Sequence, residues 1–315
     1  MNILNIKRME IVEVCEKEYQ NIFDKPYHIF ISTPFVECNR SRFDAIHFLF
    51  FKESKVRLGI ILAEKENVLL SPVSAPYGGF NFTKSNIPIS TIESAVELLI
   101  DFGKELNKKI EITFPPLFYS SDFLTKCLNV FERSKFQTKY IDLNHQLYLD
   151  SNQDYISQLN SNARNKLNGS LKLSYNFFKV QGNTDIDRAY QVIKINRESK
   201  GYPLRMTLEN VLATIKIIPA DFFILELSGI DVAAAQIFHV SKDIVQIIYW
   251  GDIPGYGESK PMNYLAYKLY EFYKEKKIKI IDIGPSTEYG IPNYGLCEFK
   301  ENIGCSVSPK YSFYI

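Results

Sequence analysis

A short apolar strand in the last part of the chain has an acidic residue near its end and a polar loop after it. Asp282 lies near the end of the predicted strand Ile278–Ile283, and the loop beyond it carries Ser286, Glu288 and Asn293. In open α/β sheets ligands bind outside the carboxyl ends of the strands, so we expect Ser286 and Asn293 to contact a substrate. A carboxylate at this place is able to take the proton of an attacking amine, directly or through water. Asp282 and Glu288 are therefore candidate general bases, with turn capping as the alternative for each.

A glycine-rich loop precedes a helix in the same half of the chain. Gly255 and Gly257 stand between the predicted strand Ile244–Trp250 and a helix predicted over residues 262–276. Glycine lets the backbone approach a phosphate closely, and the amides and dipole of a helix N-terminus attract anions. We therefore assign Gly255, Gly257 and Asn263, in the first turn of that helix, to binding a phosphate-bearing cosubstrate. A plain strand-to-helix turn is the alternative.

Two aromatic residues end the strand before this loop. Tyr249 and Trp250 would form an aromatic wall beside a bound substrate, because large flat side chains bury much ligand surface. Core packing is the alternative for Tyr249. Trp250 is the only tryptophan of the chain, so its fluorescence would report on ligand entry.

The same order of strands, loop and helix occurs once earlier in the chain. The earlier copy has predicted strands Val56–Ala63 and Val68–Leu70, the loop Ser71–Gly79, a helix over residues 91–107 and the strand Ile110–Phe114. A repeat of this length indicates two similar domains. We place them at residues 1–149 and 150–315, divided by the polar segment Asp150–Gln153.

The loop of the earlier copy combines prolines and glycines around one tyrosine. Such a loop is rigid at one end and permissive at the other, which suits a binding loop. We therefore expect Tyr77, Gly78 and Gly79 to form part of a substrate-binding rim.

Composition excludes several classes of function. The chain has 315 residues, of which 46% are hydrophobic and 23% charged, as in globular proteins. Its 37 basic and 36 acidic residues give a net charge of +1, so no overall field attracts nucleic acid or an anionic membrane. The cysteines are scattered without a CxxC pair and the histidines show no ligand spacing, which argues for a reducing compartment and against a metal site. No apolar run is long enough to span a bilayer and no secretory signal is present, so we expect a cytoplasmic protein without a transmembrane segment.

Strands that alternate with helices, with several adjacent hairpins among them, predict an α/β fold with mixed sheets (α+β in character) rather than purely parallel ones. This layout resembles the acyl-donor-binding core of the GNAT N-acyltransferases, and the whole chain is similar to tandem GNAT proteins of the FemAB/FemX type. The residues that carry the likeness are Ser157–Leu167, Val232–Pro261 and the run from Asp282 through Gly295, Phe299 and Lys300 to Gly304. The resemblance implies two tandem GNAT-like domains, the first catalytically degenerate and the second holding the acyl-transfer site.

The resemblance also implies roles for single residues. In GNAT enzymes a glycine loop holds the pyrophosphate of CoA; Gly255 and Gly257 match that pattern, whereas Asp252 replaces its Gln or Arg and would repel a pyrophosphate. Where many of these enzymes have a tyrosine that protonates the leaving thiolate, this chain has Lys300. The pair Phe299-Lys300 is similar to one in FemAB-like proteins. It implies that Lys300 stabilises an oxyanion or a phosphate, with a surface lysine as the alternative.

The function that follows is an N-acyltransferase. It would move an acyl group from a thioester donor, by preference acyl-CoA, to an amine of a small molecule, sugar or peptide precursor. One alternative is a FemX-like aminoacyl transferase that uses aminoacyl-tRNA, the only nucleic acid we expect as a partner. The other is a non-catalytic tandem GNAT protein that binds a metabolite, because a fold does not fix a function.

Overall fold

The computed structural model describes residues 8–149 and 154–315, so the predicted boundary segment Asp150–Gln153 lies outside the described residues. The chain divides into two compact units. Unit 1 extends to Asp142 and also includes Pro309–Ile315, whereas unit 2 extends from Leu143 to Ser308. The division thus falls before the predicted limit at residue 149, and unit 1 takes up the last residues as well. Among the described residues, no helix combines the length and the apolar character needed to cross a bilayer.

Unit 1 contains a mixed sheet with helices packed on it. Its elements are β1 (Glu10–Val14), α1 (Glu16–Ile22), α2 (Thr33–Asn39), β2 (Ala45–Lys52), β3 (Val56–Lys65), β4 (Val68–Ser71), β5 (Phe80–Phe82), α3 (Ile89–Glu105), β6 (Lys109–Thr113), α4 (Ser121–Arg133) and the first part of β7 (Gln137–Tyr148). The strands lie in the order β1-β2-β3-β4-β6, and β5 pairs with β3. The β4–β6 pair is parallel, and residues Ser312–Tyr314 add an antiparallel partner to β6.

Helix α3 shows how the sequence pattern builds the core of unit 1. Its apolar residues Ile92, Ala95, Val96 and Leu99 recur at helical spacing, so they share one face. All four are buried. The predicted helix over residues 91–107 and the predicted strands Val68–Leu70 and Ile110–Phe114 are confirmed as α3, β4 and β6. The strand β5, directly before α3, was not predicted.

The apolar spacing of residues 1–25, with Tyr19 and Ile22 on it, predicts a short helix, and the structure has one at Glu16–Ile22. Glu10–Val14, by contrast, is a strand that pairs antiparallel with β2. The β-branched residues Ile11, Val12 and Val14 favour the extended backbone, and the sheet offers them a partner that the local pattern does not reveal.

Unit 2 likewise has strands that pair in a mixed arrangement. Its elements, after the last part of β7, are α5 (Tyr155–Gln158), α6 (Ser161–Ser170), β8 (Tyr175–Lys179), α7 (Asn183–Ser199), α8 (Leu208–Thr214), β9 (Ala220–Leu227), β10 (Ile230–His239), β11 (Ile244–Asp252), α9 (Pro261–Glu275), β12 (Ile280–Pro285), β13 (Thr287–Glu288), β14 (Ile291–Pro292), α10 (Tyr294–Asn302) and the start of β15 (Ser306–Tyr314). The strands lie in the order β7-β12-β11-β10-β9-β8. The β11–β12 pair is parallel, whereas the pairs β7–β12, β10–β11, β9–β10 and β8–β9 are antiparallel. The strands β13 and β14 form a separate hairpin. The predicted mixed α/β fold is confirmed.

Helices α7 and α9 cover opposite faces of the sheet of unit 2. Side chains on a strand alternate between the faces. Ala233 and Ala235 of β10 accordingly join the apolar cluster that contains Leu265 and Leu269 of α9. Ala234, between them, joins the cluster that contains Ile193 of α7.

We predict that Gly251→Ala destabilises unit 2, because this glycine of β11 lets α7 approach the sheet. An added Cβ would lie 2.2 Å from Cγ of Asn196, a buried residue of α7. Overpacking of this kind costs about 1–3 kcal/mol of unfolding free energy, which urea denaturation measures. Gly169→Ala is the matched control, because nothing lies within 4 Å of its added Cβ. Equal urea midpoints for the two variants would contradict the packing role.

Candidate active site

The strands β11 and β12 separate shortly after they meet. Their parallel ladder has the pairs Ile244–Ile280, Val245–Ile281 and Gln246–Asp282. Beyond the last pair β11 continues to Asp252 and β12 to Pro285. Among the described residues, no further pair joins the two strands, so the sheet of unit 2 opens at Asp282.

Asp282 lies at the apex of this opening and is fully buried. Its Oδ1 accepts hydrogen bonds from Nδ2 of Asn144 at 2.8 Å and from the backbone N–H of Gly284 at 2.9 Å. Its Oδ2 accepts one from Nε2 of Gln246 at 3.0 Å. Three neutral donors therefore hold the carboxylate between β7 and β11, which sets its orientation.

Lys300 of α10 lies on the backbone of the same strand. Its Nζ donates to the carbonyl oxygens of Ile283 at 3.1 Å, Gly284 at 2.9 Å and Pro285 at 2.9 Å. The side chain is buried, so the alternative of a surface lysine is wrong. The three carbonyls belong to the part of β12 that has left β11, where Gly284 has a positive φ of 74°. The ammonium thus supplies the donors that β11 no longer provides.

Ser286 contacts a histidine that the sequence did not single out. Oγ of Ser286 lies 3.0 Å from Nδ1 of His145, and Nε2 of His145 lies 4.0 Å from Oε1 of Glu301. His145 is fully buried, and burial together with the nearby charge of Lys300 lowers its pKa to about 4. The imidazole is therefore neutral at pH 7. The one signal in the sequence was the polar run Asn144–Gln146 inside an otherwise alternating strand.

Glu288 and Asn293 lie on the outer side of this region. Glu288 is an exposed residue of the hairpin β13–β14, and its Oε1 is 3.9 Å from a guanidinium nitrogen of Arg205. Asn293 caps α10: its Oδ1 accepts from the N–H of Leu296 at 3.0 Å, and its Nδ2 donates to Oη of Tyr202 at 2.9 Å. The structure places Asp282, Lys300 and Ser286 along one strand and its flank, whereas Glu288 and Asn293 lie further along the chain at the surface.

Tyr249 and Trp250 do not form one aromatic wall. Neighbouring residues of a strand point to opposite faces. Tyr249 packs in the α7 cluster, with the guanidinium of Arg197 5.5 Å from its ring. Trp250 packs against the α9 cluster, and its ring centroid is 5.8 Å from that of Phe299.

In the glycine loop before α9, two glycines have no atom of the described residues close to the place of a side chain. An added Cβ at Gly255 or Gly257 would meet nothing within 4 Å. Asp252 has partners of its own, because its Oδ1 lies 3.3 Å from Nδ2 of Asn196 and 3.8 Å from Nζ of Lys200. Its repulsion of a pyrophosphate stays a prediction. Asn263 lies in the first turn of α9 and is partly exposed. These residues leave the backbone before α9 accessible to a phosphate group.

Tyr77, Gly78 and Gly79 lie in the interior of unit 1 rather than on a rim. The N–H of Gly78 donates to the carbonyl of Thr113 at 2.8 Å, so the loop returns to β6. The ring of Tyr77 packs against His28 at 5.0 Å between centroids. Pro and Gly mark a loop in the sequence, but they do not tell whether its tip faces solvent.

We predict that His145 makes unit 2 sensitive to mild acid. Its folded pKa of about 4 lies below the ordinary value of 6.5. Between these values the unfolded chain binds the extra proton, so stability falls as the pH is lowered from 6.5 to 4 and the loss is complete below 4. The slope is about 1.4 kcal/mol per pH unit. Urea midpoints between pH 7 and pH 4.5 should fall less steeply for His145→Gln than for the parent, and parallel curves would contradict this.

Comparison with known proteins gives the fold a name. The sequence matches no protein-family model and no curated protein. The chain is similar in structure to FemX, with a TM-score of 0.68, 14% identity, and coverage of 97% of this chain and 96% of FemX. L-PGS from Bacillus licheniformis has a TM-score of 0.59, 15% identity and coverage of 96% and 92%. A tandem GNAT protein from the clavulanic acid biosynthesis pathway has a TM-score of 0.50, 9% identity and coverage of 97% of both chains. The fold of this chain is therefore that of FemX and the tandem GNAT proteins, as its sequence predicts.

Proposed function

We propose that this chain transfers an acyl or aminoacyl group to an amine, and that the reaction takes place in unit 2. The observation that carries the proposal is the separation of β11 and β12 at Asp282. On the β12 side Lys300 already donates to the carbonyls of residues 283–285. The edge left to a ligand is therefore that of β11 beyond Gln246, which no described strand pairs with on this side. An extended ligand with amide groups is able to add to such an edge, and acyl-CoA carries two amides in its pantetheine arm.

The other end of the donor would meet the glycine loop. Gly255 and Gly257 have open surroundings, and a short 3-10 turn over Gly257–Ser259 and then Lys260 lead from them into helix α9. The amides and the dipole of a helix N-terminus favour an anion, and Asp252 is held aside by α7. Gly255, Gly257 and Asn263 would therefore bind the phosphates of the donor. We propose acyl-CoA as the donor, and aminoacyl-tRNA as the alternative donor.

The chemistry follows from the residues at the opening. The amine nitrogen attacks the donor carbonyl, the C–N bond forms, and the bond from the carbonyl carbon to the thiol sulfur breaks. We assign Asp282 to take the proton that the amine loses, and the departing thiolate takes a proton from solvent. Glu288 is the second candidate base; it is exposed and close to Arg205.

Lys300 would act through its charge. Its hydrogen bonds go to three backbone carbonyls. It would therefore act on the reacting carbonyl through the electrostatic field of its ammonium group and by fixing the backbone of β12. A fixed cation in a site of low dielectric stabilises negative charge as it develops. Unit 1 would not carry the reaction, because its loop closes on β6 where the sheet of unit 2 is open.

We predict that Gly257→Ala weakens CoA binding without loss of stability. Its added Cβ meets no protein atom within 4 Å, so only a ligand that approaches the backbone is obstructed. We expect the Kd for CoA, followed by the fluorescence of Trp250, to rise about tenfold, or ~1.4 kcal/mol. Gly169→Ala should leave the Kd unchanged. The same Kd in both variants, or no saturable response of the parent protein, would count against the donor site.

We predict that Lys300→Met lowers turnover about 10²-fold per folded molecule, as expected for a lost electrostatic stabiliser. Thiol release from acyl-CoA is measured with a panel of amines, in parallel with transfer from aminoacyl-tRNA, and urea midpoints give the folded fraction. Lys194→Met, at an exposed position of α7, is the control. Turnover of Lys300→Met within about twofold of the parent would refute the assigned role. Binding of CoA without turnover of any donor would favour a metabolite-binding protein instead.

A further inference from the structure

A row of polar side chains crosses the sheet of unit 2 in its interior. Gln146 of β7, Asp282 of β12 and Gln246 of β11 are direct partners in adjacent ladders, so their side chains share a face. Asn144 lies two residues before Gln146 and contacts the same carboxylate. Gln236 of β10 lies two residues before Phe238, the ladder partner of Gln246, so it is a diagonal neighbour on the same face. All five residues are at most 2% exposed.

The amides of this row leave their oxygens without hydrogen-bond partners. Oδ1 of Asn144 and the Oε1 atoms of Gln146, Gln236 and Gln246 are buried and accept no hydrogen bond from the protein. The amide nitrogens of Asn144 and Gln246 donate to Asp282, so the oxygens beside them remain open. We call Asn144, Gln146, Gln236 and Gln246 the carboxamide row.

Such an arrangement is costly in a protein interior. A buried acceptor without a donor loses the hydrogen bonds that water gave it, and native structures contain few of them. Apolar residues at the same positions would avoid that cost. Lys300 does not relieve it, because its hydrogen bonds to the carbonyls of residues 283–285 leave all four amide oxygens unpaired.

We propose that Asp282 and the carboxamide row recognise a primary ammonium group of a substrate. An ammonium group has three N–H donors and a positive charge, and this locus offers amide oxygens and a carboxylate. A water molecule would supply two donors and no charge. The inference rests on the proposed function for the source of the ammonium, which is either the acceptor amine or the amino group of an aminoacyl donor.

The probes are glycinamide, which carries the ammonium group, and glycolamide, in which a neutral hydroxyl replaces it. We expect saturable binding of glycinamide, detected by ligand NMR, and binding of glycolamide at least about tenfold weaker. Equal binding of the two probes, or none of glycinamide, overturns the inference and leaves only buried water as the partner of these oxygens.

Gln146→Met and Gln236→Met test the row itself. Each removes an unpaired buried oxygen, so the Kd for glycinamide should rise about tenfold. Both side-chain polar atoms of Gln236 are unpaired, so the urea midpoint of Gln236→Met should stay level or rise. Gln146→Met also removes the hydrogen bond from its Nε2 to Oγ of Ser308, so its midpoint should fall. Gln191→Met, at an exposed site of α7, is the matched control. A lower midpoint with unchanged glycinamide binding in both variants would show a structural role and overturn the inference.

CoA binding separates this inference from the proposed function. Retained CoA binding with no recognition of glycinamide overturns the ammonium site alone, whereas the reverse result overturns the donor site alone. Two further arms assign the source. Acylation of glycinamide by acyl-CoA supports the acceptor, and failure of an aminoacyl-tRNA donor once its amino group is acetylated supports the donor. If glycinamide is not acylated and acetylation of the aminoacyl-tRNA does not affect transfer, the assignment of the ammonium group to a substrate is overturned.

Discussion

The parting of two parallel strands is the constraint on which the site of unit 2 depends. Once β11 leaves β12, the backbone of β12 needs other partners, because buried peptide groups are costly when unpaired. The structure supplies them from side chains. Lys300 donates to the carbonyls of residues 283–285, and Asp282 accepts from the N–H of Gly284. The charged residues that the chemistry would use are thus also those that keep the opening in shape.

Unit 1 shows what happens to the same layout without such side chains. Its parallel pair β4–β6 is followed by a loop that comes back to β6 through the N–H of Gly78. Tyr77 then fills the interior, and the φ of 94° at Gly79 is one that L-residues seldom adopt. The chain then continues into β5, which pairs with β3, whereas in unit 2 a short turn leads from β11 to α9. The two units therefore differ in the segment between the first strand of the parallel pair and the helix that follows it.

The order of elements was predictable because it depends on local periodicity, as in α3, whose apolar residues repeat at helical spacing.

The contacts of the candidate site were less predictable from the sequence. Gly251 and Gly255 look alike in the sequence, yet one faces Asn196 and the other open space. Asn144, Gln246 and Asp282 come from distant parts of the chain, and only the ladders bring them together. A single sequence contains no register between strands, so the partners of a buried carboxylate stay hidden in it.

Unit 1 is assembled from two separate stretches of chain, with all of unit 2 between them. Ser312–Tyr314 pair with β6, and Lys310 lies 3.4 Å from the buried carboxylate of Asp142. During synthesis the earlier part of unit 1 therefore emerges from the ribosome long before the strand that completes its sheet. Until then an exposed strand edge persists, and such edges invite pairing with other chains. The unit that is made first can therefore complete its sheet only after unit 2 has been synthesised.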